Sequence, residues 1–115
     1  MRTIMRDELK RRLDHREDVV LVEVLAPEYF DEYHLPGAIN VPMDESFEEN
    51  IQDAIPQKDR PVVVYCYSAE CSASSEAAAR MADLGYTDVF HYAAGKTDWH
   101  RAGYPVASGH AGAHR

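Results

Sequence analysis

Cysteine is scarce in this chain, with two in 115 residues, Cys66 and Cys71. That is too few for the disulfide framework of a small secreted domain. Long apolar runs are also missing. No segment approaches the roughly 20 residues of a membrane-spanning helix. The N-terminal Met1-Arg2-Thr3-Ile4-Met5-Arg6-Asp7-Glu8 lacks the apolar core and small-residue cleavage site of a secretory signal. A cytoplasmic location is therefore expected. Positive charge is in deficit, 12 Lys and Arg against 20 Asp and Glu, for a formal net charge of -8. Nucleic acids and anionic membrane surfaces select basic patches, so neither is an expected partner. A strongly anionic substrate is disfavoured too, unless the site is locally positive.

What is present suits one domain of ordinary size, with 45% hydrophobic residues to build its core. Met5, Leu9 and Leu13 recur at a spacing of four and predict a short amphipathic helix. Residues 18 to 25 read Asp-Val-Val-Leu-Val-Glu-Val-Leu, a run that suits a strand buried on both faces of a parallel sheet. Pro27 sits well at the first turn of a helix over 28–33. Ala38 to Val41 reads as a short strand, and Phe47, Ile51 and Ile55 mark another helix. Val62 to Tyr65 is a second buried strand. Ser72 to Leu84 is the best helix, with Ser72 as its expected cap and Gly85 just past its end. Asp88 to Tyr92 predicts a strand and Lys96 to Arg101 a last short helix. The domain is expected over 1–107, with a flexible tail at 108–115.

Strands alternating with helices predict an α/β fold with a mainly parallel central sheet. Sites in such sheets collect at the carboxyl ends of strands. Cys66 occupies that place: Pro61-Val62-Val63-Val64-Tyr65-Cys66 leads into Tyr67-Ser68-Ala69-Glu70-Cys71-Ser72, and a helix follows. A helix N-terminus supplies unpaired N–H groups and partial positive charge, which favour a thiolate over a thiol. Cys66 is the candidate nucleophile.

Three segments resemble the rhodanese-like sulfurtransferase family. They are Tyr33-His34-Leu35-Pro36-Gly37-Ala38-Ile39-Asn40-Val41-Pro42, Val63-Val64-Tyr65-Cys66 with the later Leu84-Gly85-Tyr86, and Ala94-Gly95 with Trp99 and Ala102-Gly103-Tyr104-Pro105-Val106. The resemblance covers roughly 5–106. It implies a rhodanese-like fold, its parallel sheet flanked by helices on both faces. It also implies that a Cys66 thiolate takes a sulfane sulfur from a small donor as a persulfide. A thiol or other thiophilic acceptor then receives that sulfur. Successive amides around the loop Cys66, Tyr67, Ser68, Ala69, Glu70, Cys71 and Ser72 would stabilise the anion. No cofactor or metal is implied.

The sequence departs from the family's active pattern. The loop carries no Lys, Arg or Gly, and Glu70 opposes a dianion such as thiosulfate. Glu23-Val24-Leu25 stands where the family has Asp-Val-Arg, and Ala94-Gly95 where it has paired glycines. These departures support an alternative, a catalytically weak interaction or redox-sensing module.

Other residues carry competing readings. Cys71 is either a second, resolving or relaying thiol or a small residue filling the loop. Ser68 is a candidate donor to the thiolate. His34 is expected to order the Pro36-Gly37 turn, and Trp99 to line the core. His110 and His114 suggest adventitious metal binding, and the two cysteines lack the second ligand pair of a zinc site. A fold-sharing phosphatase would need an arginine where Ser72 stands. A thioredoxin-type motif would need Cys-x-x-Cys.

Overall fold

Val62, Val63, Val64 and Tyr65 form the middle strand of a five-stranded sheet in the computed structural model, which describes residues 2–109. In chain order the elements are β1 (Arg2–Thr3), α1 (Arg6–Asp14), β2 (Val20–Glu23), α2 (Pro27–Glu32) and β3 (Ile39–Asn40). There follow α3 (Phe47–Ala54), β4 (Val62–Tyr65), α4 (Ala73–Asp83), β5 (Val89–Tyr92) and α5 (Gly95–Arg101). The strands lie in the order β1-β5-β4-β2-β3, and every pairing between them is parallel. The register sets Leu21 beside Val63 and Val64 beside His91.

The period-two alternation of strand side chains divides the core into two layers. Val62, Val64 and Cys66 join Val22, Phe47, Ile51, Ala77, Ala78 and Met81 on the side of α3 and α4. Val63 and Tyr65 join Leu9, Leu21, Phe30, Tyr92 and Trp99 on the side of α1, α2 and α5. A strand covered on both faces needs the continuous apolar run that the sequence carries.

Local signals end the elements as expected at several points. Pro27 opens α2. Gly85 lies past the end of α4 with φ +99°. Its N–H donates to the Ala82 carbonyl, and that of Tyr86 to the Met81 carbonyl, the paired bonds of a glycine-terminated helix.

Two expectations change. Met5 does not share the buried face of α1: it stands before the first helical residue in extended backbone and is 70% exposed. Ile4 is buried instead, because the edge strand β1 carries the chain along β5, with the Ile4 N–H on the His91 carbonyl. The exposed pair Arg2–Thr3 has no apolar pattern to announce that strand. Ser72 holds the cap position of α4, yet its side chain makes no capping bond. Its carbonyl is what serves the first turn, accepting from Glu76 N–H and Ser75 Oγ.

Gly109 donates to the Asp31 carbonyl. The rest of the expected tail, with His110 and His114, lies outside the described residues. Among the described residues no helix is long and apolar enough to cross a membrane.

Candidate active site

Cys66 directly follows β4, at the carboxyl edge of the sheet, and is 1% exposed. The chain then turns through Tyr67–Ser72 and enters α4 at Ala73. Within the turn the Cys71 N–H donates to the Ser68 carbonyl at 3.1 Å, which curls the loop back on itself. Cys71 thereby returns to Cys66, and the two are joined in a disulfide with Cα atoms 6.2 Å apart.

The loop is pinned from below by α5. Lys96 N–H donates to the Cys66 carbonyl at 3.1 Å, and Thr97 N–H to the Tyr67 carbonyl at 3.0 Å. Gly95 makes this approach possible. A Cβ there would stand 2.6 Å from Ser68 N and 2.7 Å from the Tyr67 carbonyl carbon, and φ is +78°. Both facts favour glycine, which has no side chain and tolerates positive φ.

With its carbonyls held from below, the loop keeps amide donors in reserve. The Cys71 amide is engaged within the turn. Among the described residues, the N–H groups of Tyr67, Ser68, Ala69 and Glu70 donate to no acceptor in the chain. Ala69 and Glu70 are exposed. The Ser68 hydroxyl donates to Glu70 Oε1 at 3.1 Å. Tyr67 is half exposed, edge-on to the exposed Tyr29 at 6.4 Å.

Sequence reasoning missed a buried ion pair behind this loop. Lys96 Nζ lies 3.0 Å from Glu23 Oε2 and donates to the carbonyls of Tyr29 and Tyr33, each at 2.7 Å. Both charged side chains are fully buried. Burial pushes the Glu23 carboxyl above its ordinary range, against the pull of the Lys96 ammonium. One signal was available: an acid inside an apolar strand requires a partner. Glu23 stands where the resembling family has an aspartate, and α5 supplies the cation.

His34 is buried and structural, but its bonds run elsewhere than expected. Its ring donates from Nδ1 to the Phe30 carbonyl at 2.7 Å and stacks on Phe30 at 3.7 Å. Its backbone exchanges two 2.9 Å bonds with Ala107, closing the chain's far end onto α2. Trp99 is core, with Nε1 donating to the Pro105 carbonyl. Among the described residues no group of three or more His, Cys, Asp or Glu side chains could hold a metal ion.

A parallel sheet between two helical layers, with a cysteine loop at its carboxyl edge, defines the class of α/β protein. The comparisons then fix the family. Residues 5–102 match the family described as Rhodanese-like domain, and the chain belongs to it. It is 36% identical to the HTH-type transcriptional regulator Rv0324 of Mycobacterium tuberculosis, over 92% of this chain and 45% of that protein. It is 33% identical to a protein named Sulfurtransferase from Allochromatium vinosum, over 89% of this chain and 91% of the other. A crystal structure of a thiosulfate sulfurtransferase from Pseudomonas aeruginosa superposes with a TM-score of 0.83 at 27% identity. That match covers 95% of this chain and 20% of the other. The chain thus spans less than half the length of the mycobacterial regulator.

Proposed function

We propose that this chain is a sulfurtransferase that carries sulfane sulfur on Cys66. The observation that carries the reading is the cysteine at the end of β4, beside a loop in which four amide donors have no acceptor among the described residues. In the reduced protein the Cys66 thiolate attacks the sulfane sulfur of a small donor. A Cys66 Sγ–sulfur bond forms, the donor's bond to that sulfur breaks, and its electron pair leaves with the rest of the donor. A thiol or other thiophilic acceptor then attacks the outer sulfur and returns the Cys66 thiolate. Preorganised amides stabilise anions of this kind without reorganisation. The resemblance to proteins named as sulfurtransferases supports this chemistry, and a cytoplasmic setting with reducing thiols suits it.

A second reading, a redox-sensing or interaction module, draws support from the mycobacterial relative named as a transcriptional regulator. Intact mass spectrometry separates the two. Reduced protein is incubated with thiosulfate, a thiol persulfide or mercaptopyruvate. With Cys71→Ser we expect a gain of one sulfur atom on Cys66 and its transfer to an added thiol, both abolished when Cys66→Ser is introduced as well. A folded Cys66→Ser variant that still turns over would sink the assignment. Protein that neither takes up sulfur nor releases hydrosulfide with any donor would favour the sensing module.

A further inference from the structure

The thiol that would carry the persulfide is not alone. Cys71 is bonded to it, and the Cα separation of 6.2 Å lies within the range that disulfides span. The fold therefore brings the Cys71 sulfur to the inner sulfur of any persulfide formed on Cys66. Cys66 is almost wholly buried, whereas Cys71 is partly exposed.

We infer that Cys71 resolves a Cys66 persulfide that no acceptor has discharged, so that the chain releases hydrosulfide and ends that turnover as a disulfide. This activity rests on the sulfurtransferase reading. The Cys71 thiol loses its proton to solvent, and its thiolate attacks Cys66 Sγ. The Sγ–Sγ bond forms as the bond from Cys66 Sγ to the outer sulfur breaks. The electron pair leaves with the outer sulfur as hydrosulfide. The sulfane sulfur is reduced to sulfide, and the two cysteines are oxidised to the disulfide. Two equivalents of a cellular thiol then restore the dithiol and leave as their own disulfide.

Two features of the loop suit this step. The turn closed by Cys71 N–H and the Ser68 carbonyl holds the second cysteine at the first. Intramolecular attack of this kind outruns an external thiol because the reactants are already positioned. The leaving hydrosulfide is an anion, and the loop carries Glu70 and no cationic side chain to retain it.

Reduced wild type, Cys71→Ser and Cys71→Ala are freed of reductant and exposed to a small thiol persulfide. After removal of the donor they are read by intact mass, peptide mapping and hydrosulfide trapping. Circular dichroism checks that all three are folded. The expected wild-type product is two hydrogens lighter than the dithiol, carries no extra sulfur and shows a Cys66–Cys71 peptide. It should release about one more hydrosulfide per chain than either variant, the stoichiometry of intramolecular resolution. Each variant should retain one extra sulfur on Cys66 until a thiol is added. Wild type that holds the extra sulfur as long as the variants overturns the inference and leaves the sulfurtransferase reading intact. Recovery of the extra sulfur on Cys71 also overturns it, in favour of a relay. If no form takes up sulfur, both readings fall.

Discussion

Lys96 and Glu23 face one another in the interior, Nζ to Oε2 at 3.0 Å, with neither side chain exposed. The same lysine bonds the Tyr29 and Tyr33 carbonyls, and its backbone N–H holds the Cys66 carbonyl. One residue thus ties β2, α2 and the cysteine loop together.

Removing one partner should expose the cost of the other. Lys96→Met strands a buried carboxylate and should destabilise the fold by about 3–5 kcal/mol at neutral pH. The loss should shrink in acid, because protonating Glu23 removes the uncompensated charge. The double variant Glu23→Gln/Lys96→Met should recover part of it. Urea unfolding of the single and double variants across pH measures all three effects. A Lys96→Met loss that does not change with pH would refute the electrostatic account.

Gly95 should be the least replaceable glycine among the described residues. Gly103 also has positive φ, +82°, but open space around it, so Gly103→Ala should cost only the backbone term of about 1–2 kcal/mol. Gly95→Ala adds a collision with the Tyr67–Ser68 backbone. It should cost more and also slow persulfide formation on Cys66. Thermal unfolding and single-turnover mass kinetics of the two variants test the ranking.

Loop charge should govern donor choice. Glu70 is exposed and no basic residue lies between Cys66 and Ser72, so Glu70→Arg should lower the KM for thiosulfate. Added salt should erode the gain, because exposed charges are screened over about 8–10 Å at physiological ionic strength. Steady-state assays at low and high salt decide this. An unchanged KM at low salt would show that loop charge does not select the donor.

His91 should make the fold acid-sensitive. Burial holds its imidazole below the ordinary value, and its Nε2 lies 2.8 Å from Ser74 Oγ. The unfolded chain therefore takes up this proton first as pH falls. The stability that neutral His91 provides is present above about 6.5, the ordinary histidine value. It is lost as pH falls through the lower folded value. The difference in Tm between wild type and His91→Gln should narrow on acidification below that point. A constant difference across the range would exclude His91 as the source.

By itself, the sequence determined the α/β class, the core strands and the position of Cys66 at a strand's carboxyl end. These follow from local physics. A continuous β-branched run at Val62–Val64 suits a strand covered on both sides. Pro27 and Gly85 act on their own backbone torsions, and Cys66 follows its strand directly. What only the tertiary structure decided depends on residues far apart in the chain. The edge strand Arg2–Thr3 exists because β5 offers it a partner. Met5 lies outside and Ile4 inside because that strand sets where α1 begins. Ser68 turns to Glu70, and Cys71 meets Cys66, because the loop's curl fixes side-chain directions that spacing leaves open. A buried acid such as Glu23 needs a cation, a signal the sequence reading passed over, and 72 intervening residues separate it from Lys96. Only the packing of α5 against β2 chose that partner.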